Sequence, residues 1–280
     1  MERHPKLKNL IIRTLTSLVL FGLLFLCCYF GSLTFLIVFG AVFFMTIREM
    51  EEMLKHLGKR IAMVPAYIFA SLFGPLYYMA GQSWAAVAAF GLLMVTLSVI
   101  WQVLLTKEDN YADALYCLLP FAYPILPECA IVALYFALPE EVGKTCCYAA
   151  ILCPEIGDAF AYFGGSLFGK HPLCPQISPK KTVEGSISAL PGAMLVGLGL
   201  YFAQPLWGGQ VSLLSLLFMG LLCGIVGQFG DLFASTLKRA AGIKDFSDII
   251  PGHGGLMDRL DSALLCAMGV LAYAVLRLNF

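Results

Sequence analysis

The chain has 280 residues, 60% of them hydrophobic and 13% charged, with zero formal net charge and a mean hydropathy of +0.83. Soluble domains carry about twice that charged fraction, so an ordinary water-solvated fold is excluded and lipid is the solvent that suits such a surface. With no net field to attract it, nothing argues for nucleic acid as a partner.

Apolar stretches of roughly 20 residues, the length of a bilayer-crossing helix, recur along the chain. They fall at 10–30, 31–47, 61–80, 84–105, 112–138, 145–169, 186–204, 211–230 and 260–278, which predicts an all-α, polytopic transmembrane helical bundle of about nine spans. The first run ends in Cys-Cys-Tyr-Phe without a small-residue cleavage pattern and reads as a retained anchor. After the second run, 46–60 continues as a helix into the cytosol, with Glu51 and Lys55 spaced for an i,i+4 pair and Gly58 near its end. Its expected role is a solvated surface helix. The 112–138 stretch holds Pro120, Pro124 and Pro127, which allow either one kinked span or a short hairpin. The ten cysteines show no CxxC or His-containing zinc spacing and read as small, reduced, buried hydrophobes.

Lys and Arg near span ends set orientation. They cluster in the N-terminal tail (Arg3, Lys6, Lys8), in 48–60 (Arg48, Lys55, Lys59, Arg60), in 170–185 (Lys170, Lys180, Lys181) and in 231–259 (Lys238, Arg239, Lys244, Arg259). All four clusters fall on the cytoplasmic side if 112–138 crosses once. Residues 1–110 then form an N-terminal set of transmembrane helices, and 111–280 a catalytic transmembrane domain with its polar site at the cytoplasmic face.

Acidic residues in or beside spans are costly and mark function, and here they concentrate in the second half. In Gln228-Phe-Gly-Asp231-Leu-Phe-Ala-Ser235-Thr-Leu-Lys238-Arg239, a helix puts Gln228, Asp231, Ser235, Lys238 and Arg239 on one face. The alternative is a snorkelling helix end with a local Asp231–Ser235 contact. Then come Lys244-Asp245-Phe-Ser and Pro251-Gly-His253-Gly-Gly-Leu-Met-Asp258-Arg259-Leu-Asp261, where glycines let backbone N–H groups approach an anion. Asp258 and Asp261 open a helix three residues apart, so both can face one point. Upstream, Asp158 and Tyr162 share a helix face, and Ser178, Lys180, Lys181 and Thr182 place donors and cations in a short loop. Carboxylates beside Lys and Arg are what metal-assisted phosphoryl transfer requires. The structural alternatives are a dipole-favoured helix start for the two Asp, a positive-inside anchor for the Lys pair, and capping for Thr182 and Glu184.

The run from Ser235 to Asp261 resembles the signature of the phosphatidate cytidylyltransferase (CDP-diacylglycerol synthase) family, and Asp158–Gly185 resembles that family's Asp…Tyr…Gly…Ser-Pro-x-Lys-Thr-x-Glu-Gly region. One departure is Ser166, where the family commonly carries Arg or Lys; Lys170 is the nearest replacement charge. The resemblance implies transfer of the cytidylyl group of CTP to phosphatidic acid with Mg²⁺, alone or with a second metal or monovalent cation. It implies metal binding by Asp231 and Asp258, with Asp261 as a further ligand or a support behind them. It gives Lys238, Arg239, Lys244 and Arg259 to phosphates, and Ser178, Lys180, Lys181 and Thr182 to the nucleotide or lipid phosphate. Asp158 would meet cytosine, ribose or metal. His253 would donate to pyrophosphate or brace the glycine turn, and Tyr162, Lys170, Gln228, Ser235 and Asp245 complete the substrate-contacting set. The implied setting is a bacterial cytoplasmic membrane with the site facing the cytosol, membrane lipids as neighbours, and room for a homodimer. Two other readings compete. A CTP-dependent membrane lipid kinase would release CDP, and a transporter would use the acids as an ion path, although its polar residues should then spread across both halves.

Overall fold

The computed structural model describes residues 22, 27, 31–105, 113–250 and 254–278. The predicted run 10–30, the basic tail and His253 therefore lie wholly or almost wholly outside the described residues. The rest is almost entirely helical. Its helices are α1 Ser32–His56, α2 Val64–Met79, α3 Trp84–Leu105, α4 Asp113–Tyr116, α5 Leu126–Phe136, α6 Glu140–Phe168, α7 Val183–Ala203, α8 Leu213–Ala240 and α9 Met257–Arg277. A small hairpin, β1 Pro172–Cys174 with β2 Ser178–Thr182, separates α6 from α7.

Among the described residues, six helical stretches are long and apolar enough to cross a bilayer: Ser32–His56, Trp84–Leu105, Asp113–Phe136, Val183–Trp207, Leu213–Ala240 and Met257–Arg277. This makes the chain an all-α integral membrane protein, but the structure supports six such spans where the sequence predicts about nine. Of the three runs not among the six, 10–30 lies almost wholly outside the described residues, and the other two have physical causes. The run expected at 61–80 forms a helix of only 16 residues, and the run at 145–169 belongs to a continuous 29-residue helix whose apolar character Glu155 and Asp158 interrupt. The ambiguous 112–138 stretch behaves as one irregular span. Tyr123 leaves helical geometry (φ −158°, ψ 113°) just before Pro124, and the helix resumes at Leu126.

The chain forms two compact units, Met1–Leu126 with Ala240–Arg259, and Pro127–Arg239 with Leu260–Phe280. In the first, α1 buries Phe35, Phe39, Phe43, Ile47, Met50 and Met53 along one stripe, with Phe43 against Phe69 and Phe73 of α2. Gln102 secures the α1–α2 connection: its Oε1 accepts from Ala62 N (2.9 Å) and its Nε2 donates to Arg60 O (3.1 Å). Backbone that leaves a helix inside an apolar environment needs such partners. Leu92, Leu93, Trp101 and Leu104 of α3 remain exposed, as a lipid-facing surface requires.

In the second unit, small residues let helices approach closely. A Cβ at Gly227 would sit 2.9 Å from Pro154 Cβ and 3.2 Å from Cys266 Sγ, and one at Gly230 would sit 2.5 Å from the Asp261 carbonyl oxygen. These contacts join α6, α8 and α9 around Cys153, Cys223, Cys266 and Ala267, all fully buried. Every described cysteine is free, in accord with the reading of small reduced hydrophobes.

Candidate active site

Segment 170–185, expected to be a loop, carries the antiparallel hairpin, with Pro172 opposite Thr182 and Cys174 opposite Ser178. Pro179 disfavours helix at Ser178 and drives it to extended geometry. Thr182 then caps α7, its Oγ1 accepting from Gly185 N at 3.2 Å. Glu184, expected to be a second capping residue, instead grips the chain that enters β1 beside it. Its Oε2 accepts from Lys170 N (3.0 Å) and His171 N (3.3 Å), and its Oε1 lies 2.6 Å from His171 Nδ1. Gly185 packs directly on α6, since a Cβ there would meet the Ala161 carbonyl at 2.6 Å. The open end of the hairpin, where the strand that bears the lysines enters α7, is thus held by both Thr182 and Glu184.

Within this second unit a cavity of about 380 Å³ opens between α6, the hairpin, α7 and α8. α6 contributes Asp158, Tyr162 and Ser166; β2 contributes Lys180, Lys181 and Thr182; α7 contributes Ser186; α8 contributes Gln228 and Asp231. The cavity therefore pairs two cations with two carboxylates. Lys181 Nζ makes an ion pair with Asp231 Oδ2, and Ser235 Oγ donates to Asp231 Oδ1 at 3.2 Å. The Asp231–Ser235 contact of the alternative reading is therefore present, with Asp231 also turned to the cavity. Gln228 accepts from Ser186 Oγ and donates from Nε2 to the carbonyls of Ser186 (3.1 Å) and Gly224 (2.6 Å). Ser262 Oγ donates to Asp158 Oδ2 at 3.3 Å, and Ser262 N to Asp261 Oδ1 at 2.7 Å. Asp261 packs against α8 through its backbone, since a Cβ at Gly230 would stand 2.5 Å from its carbonyl oxygen. Among the described residues, no three His, Cys, Asp or Glu side chains converge tightly enough to hold a metal by themselves.

Seven predicted site residues thus line one cavity: Asp158, Tyr162, Lys180, Lys181, Thr182, Gln228 and Asp231. Ser235 sits behind Asp231, Lys238 is buried and Arg239 is exposed. Lys170 is exposed, with its backbone N–H on Glu184, and Ser178 pairs with Cys174 in the hairpin. Lys244, Asp245, Asp258 and Arg259 belong to the first unit. There Lys244 is exposed, 4.0 Å from Asp245. Asp258 is buried and turned back onto its own loop, its Oδ2 accepting from Phe246 N (2.8 Å) and Gly255 N (2.9 Å). Sequence reasoning singled out neither Ser186 nor Ser262. Each is a small hydroxyl in an apolar run, and only the helix crossings bring it to a polar partner.

The hairpin clamp gives a direct test. Thr182→Val removes the α7 cap and one cavity hydroxyl while keeping the shape. A loss of about 1 kcal/mol of stability is expected for such a cap, read as a lower melting temperature in detergent, and unchanged melting would disprove the capping role.

Fold and site together define an integral membrane protein in which cations and carboxylates line a common cavity. The chain belongs to the cytidylyltransferase family, whose profile matches residues 11–278. It is similar to the phosphatidate cytidylyltransferase of Staphylococcus haemolyticus (strain JCSC1435), at 32% identity over 256 residues, 90% of this chain and 94% of that protein. It is also similar to that of Staphylococcus aureus (strain COL), 32% identical over 257 residues with the same coverage, and to that of Helicobacter pylori (strain ATCC 700392 / 26695), 34% identical over 201 residues, 70% of this chain and 71% of that protein.

Proposed function

We propose that this enzyme transfers the cytidylyl group of CTP to phosphatidic acid, giving CDP-diacylglycerol and pyrophosphate. The observation that carries the proposal is the cavity in which Lys180 and Lys181 stand beside Asp158 and Asp231, in a chain of the cytidylyltransferase family. Both reactants are anions, so their repulsion dominates the barrier. Lys180 and Lys181 supply positive charge where phosphate oxygens would lie. An oxygen of the lipid phosphate forms the new bond to the α-phosphorus of CTP. The bond from that phosphorus to the bridging oxygen breaks, and pyrophosphate leaves with the electron pair. The attacking phosphate monoester is already ionised near pH 7, so no general base is needed. Tyr162, largely exposed at the cavity edge, and the hydroxyls of Ser166, Thr182 and Ser186 are placed to orient the nucleotide or the head group.

The donor set fits Mg²⁺, which binds through one or two carboxylates and completes its coordination with water and substrate phosphates. Asp158 and Asp231 are the cavity carboxylates that would hold it, and Asp258 and Asp261 enter the assignment through the family signature. Bound there, the ion would neutralise phosphate charge and hold attacker and leaving group in line. The positive-inside pattern supports a site facing the cytosol in a bacterial cytoplasmic membrane, where the diacyl chains stay in lipid while the head group meets CTP.

The test uses purified protein, phosphatidic acid, Mg²⁺ and CTP labelled at either the α or the γ position. Label from the α position should enter the lipid and pyrophosphate should be released. Release of CDP with γ label in the lipid would instead establish the kinase reading. Lys181→Ala should raise the KM for CTP at least about tenfold, the scale of one lost charge-assisted hydrogen bond. An unchanged KM would remove Lys181 from the phosphate grip.

A further inference from the structure

The first unit contains a carboxylate with no assigned part in the reaction. Glu49 lies in α1, in the segment expected to be a solvated surface helix, yet it is 1% exposed. Helical spacing places it on the stripe that buries Phe39, Phe43, Thr46, Met50 and Met53. Both of its oxygens are engaged. Oε1 accepts from Ser247 Oγ (2.6 Å) and Leu256 N (2.8 Å), and Oε2 accepts from Met257 N (2.7 Å). All three donors lie some two hundred positions further along the chain, inside the glycine-rich signature segment. Gly255 seals the contact, because a Cβ there would stand 2.7 Å and 2.8 Å from the two Glu49 oxygens. Asp258 takes the adjoining N–H of Gly255 together with that of Phe246. Three successive backbone N–H groups, at 255, 256 and 257, therefore end on two buried carboxylates. At the start of α9 these donors have no partner within the helix, and an unpaired buried donor would cost about 1–3 kcal/mol. Gly254, at φ +83°, makes the turn that brings the segment round.

We infer that Glu49 is a positioning residue for the cytidylyl transfer: it fixes the backbone that carries Asp258 and Arg259, and so sets the orientation of the carboxylate and the guanidinium that the family signature gives to metal and to phosphate. The inference rests on the proposed reaction and on the signature residues acting in it. A carboxylate placed only for stability would affect the amount of folded protein. One that sets the reacting geometry affects turnover per folded molecule, because a misplacement of about 1 Å can cost on the order of 100-fold in rate.

The experiment compares the full-length protein with Glu49→Gln, Glu49→Asp, Gly255→Ala and the double variant Glu49→Asp/Gly255→Ala. Each is assayed as the monodisperse fraction in detergent, with kcat and KM measured for both CTP and phosphatidic acid. Glu49→Gln keeps the volume but replaces one acceptor oxygen with a donor that opposes a backbone N–H. Its kcat should fall at least about tenfold with the KM for phosphatidic acid within about threefold, as for an interaction realised in the transition state. Amide exchange of 254–258 should rise while that of 183–203 stays unchanged. Gly255→Ala should reproduce the kcat loss, and the shorter carboxylate of the double variant should recover part of it, a non-additive result expected only of residues in contact. A kcat per folded molecule within twofold of the parent for Glu49→Gln overturns the inference, as does failure to recover any folded variant, which would assign Glu49 to folding alone. If the parent protein makes no CDP-lipid, the proposed reaction has failed, and the exchange of 254–258 then tests only the contact.

Discussion

Asp231→Asn should lower the rate of CDP-diacylglycerol formation by about 100- to 1000-fold, the scale seen when one preorganised electrostatic group is removed from an active site. The side chain stands between Lys181 and Ser235 at the cavity wall, so substitution removes the counter-charge of a half-buried lysine and one of the two cavity carboxylates. An amide of the same shape keeps the Ser235 hydrogen bond within reach, so the protein should still extract and purify, with a lower melting temperature from the Lys181 ammonium left without its counter-charge. The informative measurement is turnover with saturating CTP and phosphatidic acid on protein of matched monodispersity. Turnover within threefold of the parent would remove Asp231 from the reaction.

Gly230→Leu is expected to be strongly destabilising. The α8 backbone at this position touches α9 so closely that even a Cβ would lie 2.5 Å from the Asp261 carbonyl and 3.1 Å from the Ser262 Cα. Backbone cannot yield as a flexible side-chain end can, so the helices must separate. Overpacking of this kind costs about 1–3 kcal/mol and often more. Because Asp231 follows directly, and Ser262 holds both Asp158 and Asp261, separation also pulls the carboxylates apart. Melting temperature and activity should fall together, and Gly230→Ala should show a smaller loss of both. A Gly230→Leu protein that melts like the parent would show that the helices do not pack as described.

Composition and apolar period were enough to define the membrane class, because a chain with so few charges has no other way to cover itself. The cavity residues Asp158, Tyr162, Gln228 and Asp231 were legible because each interrupts an apolar helix at a spacing that shares a face. Three things were hidden. Among the described residues, the count of spans departed from the sequence reading where hydropathy and helix length diverge, as in the short α2 and in α6, whose apolar run holds Glu155 and Asp158. The hairpin escaped because its strands are three and five residues long and carry no alternating apolar signal. Glu49 escaped because its neighbours Arg48, Glu51 and Glu52 give the segment a solvated look. The clue was its position on the aromatic stripe, where a charge needs a partner and the partner lies far along the chain. Asp258 shows the opposite lesson: a helix-start spacing located it correctly, while its orientation toward the Phe246 and Gly255 amides depended on the loop.

The Lys181–Asp231 pair has a consequence for how ligands enter. Without them, each charge serves as a placeholder for the other. An anion that captures Lys181 alone leaves the Asp231 carboxylate without its counter-charge, with only the Ser235 hydrogen bond, and a cation that captures Asp231 alone leaves the Lys181 ammonium without its own. On the proposed reading, in which Lys181 takes phosphate and Asp231 the metal, neither side chain loses its counter-charge when both arrive together, so nucleotide and divalent ion should load as a couple, each tightening the grip on its companion by the same factor.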